Sequence, residues 1–133
     1  MIKLLILGAT GSIGTTCLNS LRKNNPGIEI VALSAFENKE KLGAIQREFN
    51  ISKASLFKNK SNEEIKAFIQ NSGATIVLNA IAGADGLFAT LCALECGMDV
   101  ALANKESVVM GGNFLFEYAR EHNAKIIPVD SEH

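Results

Sequence analysis

Apolar runs short enough to be strands alternate along the chain with segments of helical periodicity, and that alternation admits few folds. The strand-like stretches fall at residues 3–7, 29–34, 54–57, 75–79, 100–103 and 125–129. Helical patterns occupy residues 12–23, 39–49, 62–71, 85–95 and 113–121, with apolar side chains three and four apart, as in Ile13, Cys17 and Leu21 or Leu87, Leu91 and Leu94. Strands separated by helices run parallel, and their aliphatic character marks them as covered on both faces. With right-handed crossovers the pattern predicts an α/β chain: a Rossmann-like, doubly wound, mainly parallel six-stranded sheet with helices on both faces. Pro26-Gly27 and Ser72-Gly73 supply turns, and Gly97 supplies a helix stop. At 133 residues, with no linker or repeat, the chain reads as one domain.

In sheets of this kind ligands bind outside the carboxyl ends of the strands. The first strand is followed by Gly8-Ala9-Thr10-Gly11-Ser12-Ile13-Gly14. Gly8 suits a tight turn, Gly11 leaves room for a pyrophosphate, and Gly14 allows the helix to pack close. The helix amino terminus offers N–H groups to phosphate, and Thr10 and Ser12 add hydroxyls. The spacing is a variant of the dinucleotide fingerprint, in the strand-turn-helix context that the motif requires. The second strand ends Ser34-Ala35 with no acid to accept from a ribose 2′-OH, which leans toward NADP over NAD. Asn38, Lys39 and Lys41 can serve a 2′-phosphate, although the lysines suit a solvated helix face equally well. Glu37 opposes a phosphate unless it turns outward.

The fourth strand leads into Asn79-Ala80-Ile81-Ala82-Gly83-Ala84-Asp85, small enough for a ligand to approach the backbone, or a packed helix start with Asp85 as its cap. The fifth leads into Asn104-Lys105-Glu106-Ser107, where a nicotinamide would reach. Lys105 offers a cation to a substrate oxygen or phosphate, and Asn104 and Glu106 offer a donor and an acceptor to the cofactor. The same residues can open a helix, with Asn104 or Ser107 capping. The last apolar run ends in Asp130-Ser131-Glu132-His133. Side chains two apart on extended backbone point the same way, so Asp130 and Glu132 can converge on Mg²⁺ or Mn²⁺. A solvated polar tail would look the same.

The net charge of −1 gives no reason to expect nucleic acid or a membrane surface as partner. No apolar stretch reaches the roughly 20 residues of a membrane span, and no signal peptide is evident. A cytoplasmic protein with reduced thiols is expected. Cys17, Cys92 and Cys96 are odd in number and lack zinc spacing, and none stands at a strand end near a histidine, so none is expected to be catalytic.

Four motifs together, the glycine loop at 8–14, Asn79-Ala80-Ile81-Ala82-Gly83, Leu102-Ala103-Asn104-Lys105-Glu106-Ser107 and Ile127-Pro128-Val129-Asp130-Ser131-Glu132-His133, resemble 1-deoxy-D-xylulose 5-phosphate reductoisomerase. The resemblance runs the whole chain in order and covers that family's amino-terminal NADPH-binding domain. It implies conversion of 1-deoxy-D-xylulose 5-phosphate to 2-C-methyl-D-erythritol 4-phosphate in non-mevalonate isoprenoid biosynthesis. The reaction is a rearrangement followed by hydride transfer from NADPH, dependent on Mg²⁺, Mn²⁺ or Co²⁺. It further implies Thr10, Gly11, Ser12 and Ile13 as the pyrophosphate loop, with Asn38, Asn104 and Glu106 as further NADPH contacts. Lys105, Ser131 and Glu132 become substrate contacts, Lys105 and Glu132 catalytic residues, and Asp130 and Glu132 metal ligands. The full-length family member is expected to be a homodimer acting on a small phosphosugar.

The sequence departs from that family where Phe36-Glu37-Asn38 replaces a common Gly-Lys-Asn, so only Asn38 carries over. The family's third metal carboxylate, phosphate-binding residues, lid and carboxy-terminal helical domain have no counterpart among these residues. Residues 1–133 are therefore expected to be the truncated cofactor-binding part of a larger enzyme, inactive alone. The alternative is a stand-alone nucleotide-binding or regulatory module without catalysis. Another short NADP-dependent oxidoreductase lacks support, because Tyr118 is followed by Ala119, Arg120, Glu121 and His122 rather than by a Tyr-x-x-x-Lys pair.

Overall fold

The computed structural model describes residues 1–23, 27–103 and 105–129, with the backbone alone for Lys23 and for 105–111. The elements are β1 (Ile2–Leu7), α1 (Ser12–Lys23), β2 (Ile28–Ala35), α2 (Lys39–Phe49), β3 (Lys53–Leu56), α3 (Asn62–Gln70), β4 (Ile76–Asn79), α4 (Gly83–Glu95), β5 (Asp99–Leu102), α5 (Lys105–Glu121) and β6 (Ile126–Pro128). The six strands lie in the order β3-β2-β1-β4-β5-β6. Each neighbouring pair is parallel. The order reverses between β1 and β4, the switch point of a doubly wound sheet.

Side chains along a strand alternate between faces, and β1 shows it directly. Leu5 and Leu7 join Val77, Val100, Ile69, Leu94 and Leu115 beneath α3, α4 and α5. Leu4 and Ile6 join Leu33, Leu78, Leu18, Leu42 and Ile45 beneath α1 and α2. The aliphatic continuity of the strands thus reflects two cores back to back.

Helix ends follow local chemistry. Ser61 Oγ accepts from the Glu64 N–H at 3.1 Å while Glu64 Oε1 accepts from the Ser61 N–H at 2.9 Å, a reciprocal cap on α3. Gly97, at φ +75°, stops α4. Its N–H reaches Leu94 O at 2.9 Å, and the Met98 N–H reaches Ala93 O at 3.0 Å. The helices α1 and α2 keep their expected bounds, and most strand ends move by one residue. Two helices begin earlier than expected. The helix α4 starts at Gly83 with Ala82 at its cap and no side-chain cap bond, so Asp85 lies in the first turn instead of capping. The helix α5 starts at Lys105, so the polar run there opens a helix rather than a loop. Its continuity with the expected 113–121 segment is broken at Gly112, whose φ 53°, ψ −144° is a glycine conformation.

The outer ends of α3, α4 and α5 meet at Glu95. Lys66 Nζ lies 2.9 Å from its carboxylate, and the Tyr118 hydroxyl donates to the other oxygen. The Tyr118 bond first, then Lys66, holds the Glu95 carboxyl below its usual range, and Tyr118 is pushed up to about 12. A depressed carboxylate contributes stability above the ordinary carboxylate range, and that contribution is lost as pH falls through the lowered value. The urea midpoint is therefore expected to fall between neutral pH and pH ~3 by less in Tyr118→Phe than in the parent chain. An identical fall in both would remove Glu95 from the account.

Candidate functional site

The loop after β1 is built by glycine and tied down by its neighbours. Gly8 adopts φ +78°, and a Cβ there would lie 3.2 Å from the Ala80 carbonyl carbon. The Ala9 N–H donates to Ser34 O at 2.8 Å and the Gly8 N–H to the Ser34 hydroxyl at 3.3 Å, so the buried Ser34 of β2 clamps the loop. Lys41 Nζ donates to Thr10 O at 2.9 Å from the α2 side. At Gly14 a Cβ would fall 2.3 Å from Gly8 O and 2.9 Å from Ala9 Cα, so α1 can approach only without a side chain there. Gly11 differs. Its Cβ would meet nothing closer than Gly8 O at 3.6 Å, and its φ is not positive. Nothing in the described chain requires glycine at 11, and its Cβ position is open on the side of the cleft. The Thr15 N–H is the first along α1 to pair with a loop carbonyl, Gly11 O at 2.9 Å. The amides of the preceding turn point to where an anion would sit.

A cleft of about 570 Å³ opens across the carboxyl ends of β1, β2, β3 and β4. Gly8, Thr10 and Gly11 line one end. Phe36, Phe57, Ile65, Ile81 and Phe88 give it apolar walls. Phe57 is fixed edge-to-face against Phe68, with ring centroids 5.8 Å apart. Its charged lining groups are Lys60 on the β3–α3 turn and Asp85 on α4. Flat apolar walls joined to a glycine loop at a helix amino terminus suit an adenosine diphosphate moiety.

The buried Asn79 holds the wall on the β4 side. Its Nδ2 donates to Gly86 O and to Thr90 Oγ1, both at 2.8 Å, and its Oδ1 accepts from the Ile81 N–H at 3.0 Å. Three bonds thus set the 80–82 segment and the start of α4.

Of the site residues expected from sequence, Thr10 and Gly11 line the cleft, and Ser12 and Ile13 open α1 beside it. Asn38 caps α2, accepting from the Lys41 N–H at 3.1 Å, and does not line the cleft. Glu37 turns to Lys58, Oε2 to Nζ 2.9 Å. Asn104, Asp130, Ser131, Glu132 and the side chains of Lys105 and Glu106 lie outside the described residues. Among the described residues no cluster of three His, Cys, Asp or Glu could hold a metal. The three cysteines are free thiols. Burial pushes each of them up, Cys92 to about 11, which leaves little thiolate for nucleophilic chemistry. Among the described residues no helix is long and apolar enough to cross a membrane. Sequence reasoning singled out the strand ends at Ser34 and Asn79 without their bonding roles, and missed the aromatic walls and Lys60. Asn79 carried a signal as the polar residue ending an aliphatic strand, and Phe57 and Lys60 follow β3 at the edge that the strand-end rule singles out.

A doubly wound parallel sheet with a glycine loop and an apolar cleft at its switch point defines a fold of the Rossmann class. The sequence model of 1-deoxy-D-xylulose 5-phosphate reductoisomerase matches residues 4–75 and 60–112. The chain belongs to the 1-deoxy-D-xylulose 5-phosphate reductoisomerase family. It is 42% identical to the reductoisomerase of Treponema pallidum over 135 residues, covering 98% of this chain and 36% of that protein. Among solved structures it is similar to the Zymomonas mobilis reductoisomerase in complex with NADPH, with TM-score 0.80, 32% identity and coverage of 99% of this chain and 39% of that one. It is likewise similar to a DOX-P reductoisomerase in complex with NADPH, fosmidomycin and magnesium, with TM-score 0.83, 33% identity and coverage of 98% and 37%. The chain therefore spans well under half the length of the relatives that it matches.

Proposed function

We propose that residues 1–133 form the NADPH-binding domain of an enzyme that isomerises and reduces 1-deoxy-D-xylulose 5-phosphate to 2-C-methyl-D-erythritol 4-phosphate in isoprenoid biosynthesis. The observation that carries this is Gly11, open toward a 570 Å³ cleft, beside Gly14, closed by its own loop. The loop fits a pyrophosphate and the walls fit adenine, as the NADPH complexes of the relatives support. Thr10, Gly11, Ser12 and Ile13 hold the pyrophosphate in this reading, with Asn38, Asn104 and Glu106 as further cofactor contacts. Lys105, Ser131 and Glu132 bind the phosphosugar, and Lys105 and Glu132 act on it. Asp130 and Glu132 bind Mg²⁺ or Mn²⁺, supported by their spacing and by the magnesium in a relative's complex. When bound, NADPH supplies the hydride and the metal polarises the substrate carbonyl. Residues 1–133 alone bind cofactor without turnover, because the family's remaining ligands lie outside them. The enzyme acts as a cytoplasmic homodimer, a reading that rests on family membership and on thiols suited to a reducing compartment.

NADPH oxidation by the complete protein with the phosphosugar and Mn²⁺ tests this. Turnover is expected, and Glu132→Gln is expected to abolish it while changing the NADPH dissociation constant by less than about twofold. Tight NADPH binding with no turnover would mark a nucleotide-binding module instead. Loss of affinity in Glu132→Gln would sink the metal role.

A further inference from the structure

We propose that this chain selects a 2′-phosphorylated dinucleotide from the β3–α3 turn, with Lys60 as the cation for the phosphate, rather than from the tip of β2. The proposal rests on the NADPH reading above and names the group that discriminates NADPH from NADH.

A ribose 2′-substituent lies near the end of the second strand of such folds, where an acid accepts from a hydroxyl or a cation accommodates a phosphate. Here β2 ends at Ala35 and is followed by Phe36 and Glu37. The Glu37 carboxylate is paired with Lys58 at 2.9 Å, so the one acid at that tip already has a cation. On α2, Lys41 donates to Thr10 O, and neither Lys39 nor Lys41 lines the cleft.

The β3–α3 turn is bound tightly to the same tip. The Phe57 N–H donates to Ala35 O at 2.8 Å and the Lys58 N–H to Phe36 O at 2.9 Å. The Lys60 N–H closes the turn on Phe57 O at 3.0 Å, with Asn59 in a left-handed conformation at φ 66°. These bonds bring Lys60 onto the cleft wall alongside Phe36, between Asn59 and Asn62.

Among the described residues Lys60 is the one cation lining the cleft, and its ammonium makes no hydrogen bond or ion pair with any of them. Its charge helps to lower the Glu64 carboxyl, though less than the Ser61 N–H that this carboxylate accepts. The opposite charge in the lining, Asp85, stands on the α4 wall. The cleft is therefore positive toward β3 and negative toward α4. A dianionic phosphate gains a charge-assisted bond at the positive end, and a neutral hydroxyl gains far less.

The test is the dissociation constants of NADPH and NADH, by titration calorimetry, for the parent protein, Lys60→Met, Lys60→Arg and Lys39→Met. Lys60→Met is expected to weaken NADPH by about 10- to 100-fold and to leave NADH within about twofold. Lys60→Arg is expected to restore most of the NADPH affinity, and Lys39→Met to change neither. Unchanged NADPH binding in Lys60→Met, equal weakening of both nucleotides, or the loss appearing in Lys39→Met would overturn the proposal. A parent protein that binds neither nucleotide would overturn the cofactor reading itself, a result distinct from any of these.

Discussion

Gly14→Ala is expected to destroy the site by destroying the loop that makes it. The new methyl would fall 2.3 Å from Gly8 O and 2.9 Å from Ala9 Cα, both backbone atoms with nowhere to go. Gly8 and Ala9 are tied in turn to Ser34, so relief requires α1 to move off the sheet and uncover Leu18. A cost of about 3 kcal/mol or more is expected, at the upper end of overpacking, with a melting temperature lower by on the order of 10 °C. NADPH affinity should be lost with it. Gly11→Ala is the matched opposite. Its methyl makes an ordinary 3.6 Å contact with Gly8 O. Its melting temperature is expected within about 2 °C of the parent, while NADPH binding weakens at least about tenfold, because the methyl occupies the approach of the pyrophosphate. Calorimetry and thermal melts on the two variants settle both points. Equal melting temperatures, or a Gly11→Ala protein that binds NADPH as before, would overturn this account of the loop.

Asn79→Ala should be the next most damaging change. The side chain is fully buried and makes three hydrogen bonds, to Gly86 O, Thr90 Oγ1 and the Ile81 N–H. Truncation strands the Ile81 donor and the buried Thr90 hydroxyl, each at about 1–3 kcal/mol, for an expected loss of about 2–5 kcal/mol. The measurement is the urea midpoint at constant slope. A loss under about 1 kcal/mol would mean that water or a repacked Thr90 replaces the amide. Since Ile81 lines the cleft, NADPH binding should weaken even where the protein stays folded.

The fold was legible because its signals are local and repeated: six aliphatic runs, five helical patterns, and a glycine where the first turn needs one. Bounds failed where two readings competed on the same residues. Residues 104–107 read as a ligand loop ahead of a helix start, and the structure begins α5 at Lys105. Residues 8–14 were legible as a tight strand-to-helix turn because backbone geometry dictates glycine at 8 and at 14. The cleft walls were not, because Phe36, Phe57 and Phe88 come from three loops or helices and become one surface only through tertiary packing. For Lys41 and Glu37, sequence offers charge but not direction. One bonds to Thr10 O and the other to Lys58, which no periodicity encodes.

The pairing of β1 with β4 has a kinetic consequence. Apart from this pair, each strand lies beside its neighbour in sequence, so most of the sheet can assemble by closing short loops. The β1–β4 ladder joins Leu4 to Ile76 and Leu7 to Asn79, and the bonds flanking it span 72 residues. Closing that loop carries the largest entropy cost of any strand pairing here. The cleft takes one wall from each side of this seam, so it is complete only once the β1–β4 ladder has formed. A ligand of the complete cleft would stabilise only the finished state, by about 2.7 kcal/mol at a hundred times its dissociation constant. Such a ligand retards unfolding rather than hastening folding.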